Sequence, residues 1–155
     1  MQIPIDDISR SKARKAYMLV VEDNPDDEAL MQRLACRQLP DVQTYCVNSV
    51  TQALAYLDGC AVHELPRLIL LDLYLPRRED GWQLLQLLKA HPLRQRLPVI
   101  VVSSSDEEED IVRTYDLGAN SFITKPATRG EWQAYFEALR HYWWDTVTMP
   151  PYYRF

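Results

Sequence analysis

Two kinds of hydrophobic pattern alternate along this chain. Short, nearly continuous aliphatic runs end abruptly in a polar residue, and between them apolar residues recur at three- and four-residue spacing. The first pattern predicts strands buried on both faces and the second predicts amphipathic helices. Residues 67–76, RLILLDLYLP, are the clearest strand, and their aliphatic run stops at Asp72. A carboxylate there either caps the strand or belongs to a site in the crevice beyond the strand ends, where open α/β sheets bind ligands.

In chain order, a first strand over residues 17–21 ends in Glu22, Asp23 and Asn24. Asn24 and Pro25 suit the N-cap and first position of a helix, and Asp26, Asp27 and Glu28 suit its positive end. That helix runs to about Gln38 with Leu30 and Leu34 on its apolar stripe, and Pro40 stops it. A second strand over residues 43–47 leads to a capping box of Ser49 and Gln52 and a helix that ends at Gly59. The RLILLDLYLP strand is third. A helix over residues 81–91 follows, with Leu84, Leu85 and Leu88 at helical spacing. Residues 98–103, PVIVVS, form the fourth strand, and Ser105 with Glu108 reads as the capping box of a helix bearing Ile111, Val112 and Tyr115 on one face and ending at Gly118. Residues 120–124 form the fifth strand, before Lys125 and Pro126. Thr128 and Glu131 cap a last helix carrying Trp132, Tyr135, Phe136 and Leu139.

Alternating strands and helices imply a parallel sheet covered on both sides, a three-layer α/β/α sandwich. Parallel strands bring their C-terminal ends to one edge, so Glu22, Asp23, Asp72, Ser103 and Lys125 should cluster. Carboxylates that close repel one another by about 4 kcal/mol per pair at 4 Å and an effective dielectric near 20. Positive charge must therefore be present, from Lys125 and from a hard divalent cation such as Mg²⁺. Such a pocket suits phosphoryl transfer to a carboxylate.

Composition narrows the field. The chain has 155 residues, 47% of them hydrophobic, and a formal net charge of −5. That size fits one domain, read as a flexible leader at 1–15, a folded unit at 16–145 and a C-terminal extension at 146–155. Acidic charge without a basic run argues against nucleic acid, and no apolar stretch is long enough to span a membrane, so a cytoplasmic protein is expected. Cys36, Cys46 and Cys60 show no metal-binding spacing and are expected to be buried or partly buried thiols. Residues 106–110, DEEED, read as a solvated helix start.

The motifs Glu22-Asp23, LLDLYLP around Asp72, VVS ending in Ser103 and FITKP around Lys125 resemble, in this order, the receiver domain of bacterial two-component response regulators. The resemblance covers residues 17–142 and implies a flavodoxin-like sheet of order 2-1-3-4-5. It also implies Asp72 as phospho-acceptor, Glu22 and Asp23 as the Mg²⁺-holding pair, and the Tyr74 carbonyl as a further metal ligand. Ser103 and Phe122 then take the switch positions and Lys125 the phosphate-pairing position, with a cis peptide before Pro126. VEDNPDD, DLGANSFITKP and HYWWDTVTMPP further resemble stand-alone response regulators that partner phytochrome-type sensor histidine kinases. That group implies a homodimer, with Trp143, Trp144 and Tyr115 as interface candidates. One departure is the path from Pro76 to Asp80, four steps where receivers typically have three. It leaves a competing reading, a receiver-shaped scaffold that docks on a kinase without being phosphorylated. A haloacid-dehalogenase-type phosphatase would need a second Asp where this chain has Tyr74.

Overall fold

The computed structural model describes residues 16–149. The expected leader and residues 150–155 of the expected extension lie outside them. Five strands alternate with five helices: β1 Ala16–Val21, α1 Pro25–Gln38, β2 Val42–Val47, α2 Val50–Asp58, β3 Leu68–Leu71, α3 Arg78–Ala90, β4 Val99–Ser103, α4 Glu108–Asp116, β5 Ser121–Thr124 and α5 Arg129–Arg140. All pairings are parallel and the order is β2-β1-β3-β4-β5, the flavodoxin-like order expected.

The sheet explains why its central strands are aliphatic throughout. Leu19, Val21, Ile69, Leu71, Val99 and Val101 point to one core, with Leu57, Leu84, Leu85 and Leu88 from α2 and α3. The alternate residues Met18, Val20, Leu68, Leu70, Ile100 and Val102 point to the other, with Met31 and Leu34 of α1 and Trp132, Phe136 and Leu139 of α5. Side chains alternate across a strand, so a sheet covered on both sides leaves no polar position.

Asn24 Oδ1 accepts from the backbone N–H groups of Asp26 and Asp27, at 3.0 and 3.1 Å, and opens α1 as expected. Ser49 Oγ and Thr128 Oγ1 accept from the N–H groups of Gln52 and Glu131, both at 3.1 Å. The Glu and Gln partners reach back one residue further than a standard box, to Asn48 and Ala127. Gly118, at φ +98°, takes the left-handed conformation that lets the chain leave α4.

Several expectations require correction. Helix α3 begins at Arg78, three residues before Gly81, because the Asp80 carboxylate accepts from the Arg77 N–H at 3.1 Å and Glu79 and Asp80 occupy the positive first turn. The longer path after Pro76 is thus taken into the helix. Ser105 does not cap α4: its Oγ accepts from Glu107 N–H, and its own N–H is given to Ser103 Oγ, both at 3.2 Å, which closes the loop before the helix starts. The apolar face assigned to α4 is turned outward. Val112 and Tyr115 are exposed and Ile111 is half-buried, whereas Asp110 and Thr114 are buried. They can be, because Tyr74, Arg78 and Trp82 supply polar partners for them. The run 106–110 is therefore solvated only through Glu109. Among the described residues the cis peptide is Leu75–Pro76, not the bond before Pro126. Cys46 and Cys60 are half-buried but Cys36 is exposed, on the outer side of α1.

After α5 a π-helical turn spans His141–Thr146. Trp143 and Trp144 fold back against the second core, with the Arg67 guanidinium 5.9 Å above the Trp144 ring. Tyr142 is exposed.

Candidate functional site

Parallel register assembles the site. Val21 pairs with Leu71, so Glu22 and Asp72 emerge together one step beyond, and the Asp72 N–H donates to the Val21 carbonyl at 2.9 Å. The Lys125 N–H donates to the Ser103 carbonyl at 2.7 Å, which fixes the lysine beside the end of β4. Oxygens of Glu22, Asp23 and Asp72 lie within 4.8 Å of one another. The Lys125 ammonium reaches Asp27 at 2.7 Å, Glu22 at 3.0 Å and Asp72 at 3.5 Å. Ser103 is buried at the same edge, and Phe122 packs partly against the first core while its N–H donates to the Tyr115 hydroxyl at 3.0 Å. The structure thus brings together Glu22, Asp23, Asp72 and Lys125. It sets Tyr115, Trp143 and Trp144 away from this cluster.

Electrostatics follow from crowding. Burial, followed by the hydrogen bond and negative charge of Asp72, pushes the Glu22 carboxyl from an ordinary 4.5 up to about 8. Burial and the Asp72 charge also raise Asp23. Desolvation works against the Lys125 ammonium, but the Asp27 hydrogen bond and the charges of Asp72 and Glu22 outweigh it and hold the lysine protonated well above its usual range.

Three carboxylates are hard oxygen donors, the set that suits a small divalent cation rather than a soft metal. Such a cation competes with the proton on Glu22. Metal-free stability contributed by that proton is full below pH 4.5 and falls as pH rises through about 8, by at most about 1.4 kcal/mol per pH unit. Urea unfolding between pH 5 and 9 should show this decline without divalent cations and a flatter profile with saturating Mg²⁺. Identical profiles would argue against a cation at these carboxylates.

Two acidic residues with defined partners escaped the sequence reading. Asp27 makes the shortest contact to Lys125, yet in sequence it is one of several acids at a helix start. Its position one helical turn beyond Asp23 was the available signal. Asp110 is fully buried, and nothing within the DEEED run distinguishes it.

Comparisons with known proteins bear on the family. The response regulator receiver domain matches residues 18–137. The response regulator Rcp1 of Synechocystis sp. is 32% identical over 136 residues, 86% of this chain and 92% of that protein. Among solved structures, the phosphorylated cyanobacterial phytochrome response regulator RcpA superposes with TM-score 0.79 at 33% identity, covering 88% of this chain and 99% of the other. The Mn²⁺-bound form of Rcp1 superposes with TM-score 0.73 at 31% identity over 87% of this chain and 99% of the other. With five parallel strands in receiver order and an acidic cluster beside a lysine at their C-terminal edge, the chain belongs to the response regulator receiver domain family.

Proposed function

We propose that this chain is a single-domain response regulator that takes a phosphoryl group on Asp72 from a sensor histidine kinase and signals by a change of surface. The observation that carries this reading is the Asp72 carboxylate at the strand-end edge, 3.5 Å from the Lys125 ammonium and grouped with Glu22 and Asp23. An Asp72 oxygen forms the new P–O bond as the P–N bond of a phosphohistidine breaks, and the imidazole leaves with the electron pair. Lys125 pairs with the transferred phosphoryl oxygens after giving up part of its contact with Asp27. Glu22, Asp23, Asp72 and the Tyr74 carbonyl hold Mg²⁺, which when bound neutralises charge on the phosphoryl group. Ser103 donates its hydroxyl to the phosphoryl group and draws the β4–α4 loop inward, and Phe122 repacks in response.

The kinase is of the phytochrome class, a reading supported by the likeness to RcpA and Rcp1. The receiver occupies residues 16–145 with an appended interface segment, acts in the cytoplasm as a phospho-acceptor rather than a multiple-turnover enzyme, and has no nucleic-acid partner. Among the described residues no helix is long and apolar enough to cross a membrane. Exposed Val112, Tyr115 and Tyr142 offer an apolar surface for a homodimer, which Trp143 and Trp144 support from behind.

Incubation with a small phosphodonor and Mg²⁺ tests the reading. Intact-mass measurement should show one added phosphoryl group that is lost under conditions that cleave acyl phosphates. Failure to form any adduct would leave the scaffold reading in its place.

A further inference from the structure

Asp110 is the one residue of the run 106–110 removed from solvent, and its carboxylate gathers contacts from separate segments. One oxygen accepts from the Tyr74 hydroxyl at 2.8 Å and the other from the Arg78 guanidinium at 2.8 Å. Although desolvation opposes it, bonds from Ser105, Tyr74 and Arg78 hold this carboxyl below the usual range, so it is ionised. Tyr74 lies two residues beyond Asp72, Ser105 two beyond Ser103, and Arg78 in the first turn of α3. Arg78 also stacks 5.0 Å from the Trp82 ring, whose Nε1 donates to Thr114 Oγ1 at 3.2 Å, one turn further along α4. A single buried carboxylate therefore ties the acceptor loop, the loop carrying the switch serine, α3 and α4 together.

We propose that the Arg78–Asp110 pair is a clasp that holds the β4–α4 loop in its resting arrangement and thereby sets how readily the acceptor site switches. The inference rests on the phospho-acceptor reading. In the resting arrangement the Ser103 hydroxyl accepts from the Ser105 N–H at 3.2 Å. For that hydroxyl to turn toward a phosphoryl group on Asp72, the segment carrying Ser105 must follow, and Ser105 is bonded to Asp110. A buried carboxylate does not move off its cation without leaving an uncompensated charge. Loop and helix consequently shift only when the clasp is strained or released. Arg78 belongs to the lengthened path after Pro76, so the departure from the usual receiver spacing supplies the cation of the clasp. Asp110 and Arg78 are positioning residues, acting through the loops and not on the phosphoryl group.

Beryllofluoride, a stable phosphoryl mimic, provides the test. Its affinity for the full chain in saturating Mg²⁺ is measured by calorimetry for the unaltered protein, Arg78→Met, Asp110→Asn, the double variant and Arg77→Met. Arg77 neighbours Arg78 but pairs with Asp80, and its variant should match the unaltered protein. Arg78→Met and Asp110→Asn should each bind about five-fold or more tightly, and the double variant no more tightly than either single one. Tyr74→Phe, which removes one hydroxyl, replaces Asp110→Asn if that variant does not fold. Folded variants whose affinities equal that of the unaltered protein would overturn the clasp and leave the acceptor reading intact. An unaltered protein that takes up no beryllofluoride would overturn the acceptor reading, and the clasp with it.

Discussion

Asp72→Asn is expected to abolish the phosphoryl adduct while leaving the protein folded. The amide is nearly the same size as the carboxylate but lacks the anionic oxygen that forms the P–O bond, so transfer should become undetectable by intact mass. The effect on stability should be small. Asparagine removes the negative charge that helps raise Glu22, and it also removes one carboxylate partner of Lys125. These terms are of similar size and opposite sign, each about 4 kcal/mol at 4 Å and an effective dielectric near 20, and should cancel to within about 1 kcal/mol. Lys125 keeps Asp27 at 2.7 Å and Glu22 at 3.0 Å. Mg²⁺ affinity should fall, because the site loses one of its three carboxylates. Urea unfolding and a Mg²⁺ titration of the variant check both consequences. An adduct that persists in Asp72→Asn would move the acceptor elsewhere.

Gly81→Ala should be the most damaging small substitution near the site. A Cβ built at Gly81 would lie 2.1 Å from the Leu73 carbonyl oxygen and 2.7 Å from its carbon, and the Gly81 N–H already donates to that oxygen at 3.1 Å. Helix propensity alone favours alanine by about 1 kcal/mol. The contact is with backbone, which cannot turn aside as a side chain can, so either α3 or the acceptor loop must move. A net loss of about 2–3 kcal/mol in urea unfolding is expected. Leu73 directly follows Asp72, so the same displacement should weaken Mg²⁺ binding and slow phosphorylation. A variant as stable as the unaltered protein would mean that helix and loop are not wedged together as described.

The strand-end residues were legible in the sequence because a parallel sheet converts order along the chain into position along one edge. Glu22, Asp23, Asp72 and Lys125 needed only the strands and their direction to be placed together. The caps at Asn24, Ser49 and Thr128 were legible for a similar reason, since each bond spans two or three residues. What escaped depends on contacts between distant segments. Asp110 looks like its acidic neighbours until Tyr74 and Arg78, more than thirty residues earlier, are brought against it. The outward turn of Val112 and Tyr115 has the same origin, because α4 packs on residues that offer hydroxyl, guanidinium and indole donors instead of aliphatic surface. The start of α3 shifted because Asp80, read in sequence as part of a loop, serves as a cap.

The bond from the Phe122 N–H to the Tyr115 hydroxyl bears on how copies of the chain can meet. Strand β5 is the outer strand on its side of the sheet, and its open margin is where another chain could extend the ladder. A tyrosine from the preceding helix stoppers one of the outward donors there. Any incoming strand must displace that hydroxyl before it gains a bond of its own, so growth of the sheet from one molecule into the next starts at a disadvantage. Association on this side is left to side chains, whose fit is specific to a partner, and not to backbone pairing, which would accept almost any extended segment.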